Sequence, residues 1–215
     1  MKKELILFDL DGTVIDPQIG ITKSVTYALN ALGIEAPPLT ELTPFIGPPL
    51  KDSFMRYYHM TEAEAFSAID LYREYFAETG IFENTLYAGI DTLLKDLSQE
   101  KTVLLATSKP YIYAEKILAA HTLLPYFSFV AGSKMDNTRT AKAEVIAYAL
   151  QNTPQMPIES CIMIGDKSHD IIGANQNNMD SIGVTYGYGT EEELTDASAT
   201  YIVSSVEALY SLLLA

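Results

Sequence analysis

The sequence predicts an α/β protein: a parallel sheet covered by helices, with an all-helical module inserted after its first strand. Three observations carry this expectation. From residue 88 onward, strand-length apolar runs alternate with segments of helical period, the order that builds parallel sheets with helices on both faces. An apolar strand at 4–9 opens the chain and has no equivalent until 102. Between them, residues 18 to 80 carry few β-rich segments.

The elements follow in order. The long helical stretch is broken at Pro37-Pro38 and at Gly47-Pro48-Pro49, because proline removes a backbone donor and clashes with the preceding turn. Thr61 with Glu64 fits a capping box, opening a helix that buries Ala65, Ile69, Tyr72 and Phe76 at helical spacing. The alternating part then reads as helix 90–99, strand 102–107, helix 110–120, strand 128–131 and helix 140–151. Strand 160–165, helix 169–178, strand 181–185, a short helix opened by Thr190 with Glu193, a strand near 200–203 and a helix from Ser204 complete it. The expected division is an α/β core of residues 1–15 and 86–215 around a helical cap of residues 16–85.

Charge and composition narrow the function classes. The formal net charge of −14 argues against nucleic acid and anionic membrane as partners, since phosphate backbones are held by basic surface. An anionic substrate would then need positive charge supplied locally, by a metal ion or by a few placed lysines; the basic residues Lys109, Lys134, Arg139, Lys142 and Lys167 all fall between positions 109 and 167. No apolar run approaches the roughly 18 residues of a membrane span, and the first is too short for a signal-peptide core. The one cysteine, Cys161, lies in an apolar strand-like run and reads as a buried thiol; a reducing, cytoplasmic compartment fits.

Four segments carry chemistry. In Phe8-Asp9-Leu10-Asp11-Gly12-Thr13, two carboxylates two residues apart at a strand end project to the same side. Two like charges that close call for a shared proton or a cation, and both outcomes suit phosphoryl transfer, one carboxylate attacking and the other holding a proton. A solvated Asp pair in a turn is the other reading of this segment alone. Gly165-Asp166-Lys167-Ser168-His169-Asp170 places two more acids after another strand, where a solvated helix-opening Asp is the plain alternative. Convergence of these acids would demand a divalent cation, and an all-oxygen ligand set points to Mg2+. Thr107-Ser108-Lys109-Pro110 ends a strand in hydroxyls beside a helix start, a place for phosphate or merely for capping. Lys142, in a first helical turn where the dipole disfavours it, suggests a nearby anion; a surface lysine is the alternative.

Taken together, Asp9-Leu10-Asp11-Gly12-Thr13, Thr107, Lys142 and Gly165-Asp166 with Asp170 resemble the motifs of the haloacid dehalogenase (HAD) superfamily, over essentially the whole chain. Phe45-Ile46-Gly47-Pro48-Pro49-Leu50, Ala106-Thr107-Ser108-Lys109-Pro110 and Tyr186-Gly187-Tyr188-Gly189 are similar to a bacterial subgroup of its phosphoglycolate phosphatase-like branch, which includes 5′-nucleotidases. The resemblance implies a Rossmann-like, HAD-like core with a helical cap and a Mg2+-dependent phosphatase acting on a small phosphorylated metabolite, phosphoglycolate or a nucleoside 5′-monophosphate. It implies Asp9 as nucleophile and metal ligand, and Asp11 as acid/base that lends its backbone carbonyl to the metal. It further implies Thr107, Ser108 and Lys142 as phosphate-binding residues, Asp166 as metal ligand and Asp170 as support for the metal shell. Lys109 could also be taken for the phosphate lysine, but it follows the hydroxyl too closely to match the family's third motif, so the resemblance favours Lys142. By position in the cap, Gly47, Leu50 and Lys51 are candidates for substrate selection, and a monomer is expected.

Competing readings share parts of this pattern. A phosphomutase carries the same four motifs. A phosphoacceptor signalling module uses an acid cluster, magnesium, a hydroxyl and a lysine, but wants a long-lived acyl phosphate, and an insertion of about 70 residues exceeds what such a compact domain carries. His169 reads as a solvated loop residue, and Tyr57, Tyr58, Tyr72 and Tyr75 as core or surface of the helical module rather than a stacking shelf.

Overall fold

The computed structural model describes residues 1–153 and 156–214. The chain divides into two compact units: Met1–Asp16 with Leu86–Ala215, and Pro17–Thr85 between them.

In chain order, the first unit opens with β1 (Leu5–Phe8) and a two-residue strand β2 (Ile15–Asp16). The second unit holds three helices, α1 (Gln18–Ala31), α2 (Leu50–Tyr58) and α3 (Glu62–Glu78), with a 3₁₀ stretch at Leu39–Phe45. It is divided where Pro37-Pro38 and Gly47-Pro48-Pro49 break the helical period. Helix α3 is capped by Thr61, whose hydroxyl accepts from the Glu64 amide while the Glu64 carboxylate returns to the Thr61 amide. It buries Ala65, Ala68, Ile69, Tyr72 and Phe76. Of the four tyrosines considered in this unit, Tyr72 is core and Tyr57 is exposed.

After the short β3 (Thr85–Leu86) the chain alternates: α4 (Ile90–Glu100), β4 (Thr102–Pro110), α5 (Tyr111–Ala120), β5 (Phe129–Ser133), α6 (Lys142–Gln151), β6 (Cys161–Gly165), α7 (Ser168–Gln176), β7 (Asp180–Val184), α8 (Glu191–Asp196), β8 (Tyr201–Val203) and α9 (Val206–Leu214). Six strands form one sheet in the order β5-β4-β1-β6-β7-β8, and every pairing is parallel. The all-apolar β1 is what a central parallel strand requires, since both of its faces are covered. Leu5 and Leu7 join Leu104, Ala106, Val145, Ile146, Ala149, Met163 and Ala174 in one buried cluster, so α6 and α7 cover that face. Cys161 belongs to the same cluster as a buried free thiol.

Two details depart from the sequence reading. Strand β4 runs on to Pro110 with a register irregularity after Thr107, so Ser108 and Lys109 are still extended chain. The two-residue strands β2 and β3 carry too little pattern to be seen in sequence. Among the described residues, no helix is long and apolar enough to cross a membrane.

The topology fixes where chemistry can occur. From β1 the chain builds β4 on one side and later β6 on the other, so the carboxyl end of β1 is a point where strand order reverses. Ligands of open parallel sheets bind at such a crevice.

Candidate active site

Strands β1 and β6 end side by side at this point, against β4, which runs on to Pro110. Phe8 is in register with Leu105 of β4 and Ile164 of β6, and the Asp9 amide donates to the Ile164 carbonyl at 2.8 Å. Asp9, Thr107 and Asp166 therefore emerge together although they are far apart in sequence. All three are buried, Asp166 at 0% exposure. Asp166 is therefore not a solvated, helix-opening Asp.

Each of the two first-motif carboxylates has its own lysine. The Lys142 ammonium lies 2.7 Å from Asp9 Oδ1, 2.8 Å from Asp170 Oδ1 and 3.0 Å from the Ala106 carbonyl. Lys142 is 7% exposed, so it is not a surface lysine. Burial opposes its charge, but Asp170 and Asp9 outweigh that cost and hold the ammonium above its ordinary pKa. The second lysine is Lys109, whose ammonium sits 2.7 Å from Asp11 Oδ2. Sequence reasoning missed this pair, because Lys109 follows a register irregularity in β4 where simple strand alternation no longer says which way a side chain faces.

Burial pushes the Asp11 carboxyl up, Lys109 pulls it back, and the Asp9 charge adds to the rise. Asp11 Oδ1 has no hydrogen-bond partner among the described residues. Asp11 thus stands where a carboxyl can keep its proton beside a neighbouring carboxylate.

Asp9, Asp166 and Asp170 form a buried cluster with one oxygen of each within 4.8 Å of the others. Burial pushes Asp166 well above the ordinary carboxylate range, and the charges of Asp170 and Asp9 add to it. Asp170 is pushed up to about 6 by burial, against the pull of Lys142. Asp166 Oδ2 accepts from the Tyr188 amide at 2.8 Å, while Oδ1 is buried without a partner among the described residues. An all-carboxylate donor set with a buried oxygen that lacks a hydrogen-bond partner among the described residues fits a hard divalent cation. Asp170 reaches the cluster directly, and its other oxygen accepts from the Lys167 amide at 3.1 Å, fixing the start of α7.

Glycine makes the convergence possible. Gly12 has φ 82°, and a Cβ there would collide with the Asp166 carboxylate. Thr107 is buried and its Oγ1 accepts from the Lys109 amide at 3.2 Å, with Ser108 next to it in the extended end of β4. The structure thus brings together Asp9, Asp166, Asp170 and Lys142, and pairs Asp11 with Lys109. Gly47, Leu50 and Lys51 belong to the helical unit, where Lys51 pairs with Glu62 at 3.1 Å.

A family model described as haloacid dehalogenase-like hydrolase matches residues 6–184. A Pseudomonas aeruginosa protein named 5′-nucleotidase is 44% identical over 97% of this chain and 94% of its own length. A Mycobacterium tuberculosis protein named tyrosine-protein kinase PtkA is 36% identical over 93% of this chain and 68% of its own length. Among solved structures, one titled as a predicted phosphatase from Clostridium acetobutylicum superposes with a TM-score of 0.95 at 46% identity, covering 99% of this chain and 98% of that one.

Proposed function

The chain belongs to the haloacid dehalogenase-like hydrolases, and from that premise we propose that it hydrolyses small phosphomonoesters through phosphorylation of Asp9. The observation that carries the proposal is the buried carboxylate cluster of Asp9, Asp166 and Asp170, with Lys142 wedged against two of its members.

In this reading Asp9 attacks the substrate phosphorus and the bond to the leaving oxygen breaks. Asp11 gives its proton to that oxygen, which its raised pKa and its place two residues away suit it to do. Water then attacks the phosphorus of the acyl phosphate, Asp11 takes back a proton, and orthophosphate leaves with Asp9 restored. Lys142, Thr107 and Ser108 hold the phosphoryl oxygens. Asp9, Asp166 and the Asp11 backbone carbonyl would hold Mg2+, with Asp170 supporting that shell; the ion when bound neutralises charge as one anion attacks another. The helical unit, with Gly47, Leu50 and Lys51, selects the substrate. Similarity to the Pseudomonas aeruginosa relative favours nucleoside 5′-monophosphates over phosphoglycolate. The buried free thiol of Cys161 fits a reducing, cytoplasmic compartment, and the proposed working state is a monomer.

The test is phosphate release from p-nitrophenyl phosphate and from a panel of nucleoside monophosphates, phosphoglycolate and sugar phosphates. We expect activity with Mg2+, none after chelation, and loss of at least about 10³-fold in Asp9→Asn, which removes the nucleophile. Wild-type rates in that variant would refute the assignment. Transfer of phosphate from ATP to tyrosine without ester hydrolysis would replace it with a kinase.

A further inference from the structure

One acidic side chain close to the site plays no part in the reaction described above. Glu193, in the first turn of α8, is directed back across the loop that carries Asp166. Its Oε1 accepts from the Ser168 amide at 2.9 Å and the Ser168 hydroxyl at 2.7 Å. Its Oε2 accepts from the Lys167 ammonium at 3.0 Å. The Lys167 ammonium also reaches the Tyr188 carbonyl at 3.3 Å, and the Tyr188 amide donates to Asp166 Oδ2 at 2.8 Å. Gly189 lies so close that a Cβ there would collide with the Asp166 carbonyl oxygen. The segment from Tyr188 to Glu193 therefore grips three consecutive residues, Asp166, Lys167 and Ser168, by five hydrogen bonds.

We infer that Glu193 is a positioning residue for the cation site: it fixes the 166–168 turn so that the Asp166 carboxylate, whose Oδ1 is buried and without a hydrogen-bond partner among the described residues, stays within the carboxylate cluster. The inference rests on the reading of that cluster as a Mg2+ site. Its physical basis is general. A ligand's affinity for metal depends on how well its carrier is held, and removing an outer partner typically costs about 10–100-fold in metal affinity. Here the turn has no regular ladder of its own between the end of β6 at Gly165 and the start of α7 at Ser168. Glu193 also satisfies the Ser168 amide, one of the donors that a helix start leaves without an intrahelical acceptor.

Mn2+ binding to the full chain, followed by the paramagnetic resonance signal of the free ion, tests this without turnover. We expect Glu193→Ala to bind Mn2+ about 10–100-fold more weakly than wild type. Glu193→Gln keeps an oxygen for Ser168 but loses the charge that holds Lys167, so a smaller loss, of roughly 3–10-fold, is expected. Thr190→Ala is the control for a merely structural role, because it removes the hydroxyl that caps the same helix at the Glu193 amide, 3.1 Å away, and leaves the Glu193 carboxylate in place. It should bind Mn2+ as wild type does. Equal weakening in Thr190→Ala and Glu193→Ala would overturn the inference, and so would wild-type affinity in Glu193→Ala. If Glu193→Ala fails to fold, unchanged affinity in Glu193→Gln overturns it equally. Absence of Mn2+ binding by the wild-type chain would instead overturn the metal site itself, so the two failures are distinguishable.

Discussion

The same four-residue pattern, threonine followed three positions later by glutamate, opens two helices in this molecule and ends in two different structures. At Thr61 the pattern closes on itself: the Glu64 carboxylate accepts from the Thr61 amide at 2.8 Å and the Thr61 hydroxyl at 2.7 Å. At Thr190 only half of it forms. The Thr190 hydroxyl accepts from the Glu193 amide at 3.1 Å, but the Glu193 carboxylate leaves the helix and binds Lys167 and Ser168. Glu64 is exposed, so the nearest donors are those of its own turn. Glu193 faces an ammonium and an amide that need an acceptor, and charge-assisted bonds to them outcompete a return to its own cap. A capping box is thus a local signal whose outcome depends on what else lies within reach of the carboxylate.

The largest expected effect comes from deleting each glutamate in turn. At a Mg2+ concentration well below saturation, Glu193→Ala should lower the phosphatase rate by about 10-fold or more, following its loss of metal affinity. Saturating Mg2+ should restore most of it. Glu64→Ala should leave the rate within about twofold of wild type at every Mg2+ concentration, because surface substitutions away from a site rarely matter. Equal losses in the two variants would erase the distinction between a cap and a clasp.

The two regions also predict opposite responses to pH, measured as melting temperature without divalent cation. Hydrogen bonds from Thr61 hold the Glu64 carboxyl below its ordinary range. The stability it contributes is therefore present above its unfolded pKa and is lost as pH falls through the lower folded value. Asp170 is the reverse case: burial raises it from 3.8 to about 6, so the folded state binds protons more tightly than the unfolded chain. Its contribution is fully present below the unfolded value and is lost as pH rises toward 6. Asp166, also raised by burial, acts in the same direction. The metal-free melting temperature should fall between pH 4 and 7, and added Mg2+ should raise it most at the upper end. A metal-free melting temperature that climbs over this interval would contradict the reading of the cluster as strained without a cation.

How far the sequence disclosed this site differs residue by residue. Asp9 and Asp166 were legible because each follows a continuous apolar run, and parallel strands align their ends. The core of the helical unit was legible for the same kind of reason, since Ala65, Ile69, Tyr72 and Phe76 keep a strict helical period. Lys142 was singled out by an unfavourable charge in a first helical turn, but nothing local said it would be buried against two aspartates. Lys109 does not match the third motif, and its pairing with Asp11 follows a register irregularity in β4 that no periodicity of the sequence announces. The partners of Glu193 lie 25 and 26 residues away and come together through the β6–β7 pairing and the return of the chain to α8. No periodicity or spacing encodes that contact, because it depends on the assembled sheet.

The smallest effect sharpens the comparison most, because it isolates the cap from any chemistry. Thr61→Ala removes a hydroxyl that both accepts from the Glu64 amide and donates to its carboxylate, leaving the first turn of α3 to water. Losses at such positions are typically about 1 kcal/mol, which for a chain of this size lowers the melting temperature by about 2–4 °C. Mn2+ affinity and the Mg2+ dependence of turnover should not move, since Asp9, Asp166 and Asp170 and the bonds of Glu193 to Lys167 and Ser168 belong to the other compact unit. Thr190→Ala should cost a similar amount of stability if the hydroxyl alone matters. A markedly smaller cost there would mean that the bonds from Glu193 to Ser168 and Lys167 hold the start of α8 even without its cap, making the clasp a support for the helix as well as for the turn. Scanning calorimetry of the two variants side by side distinguishes these outcomes.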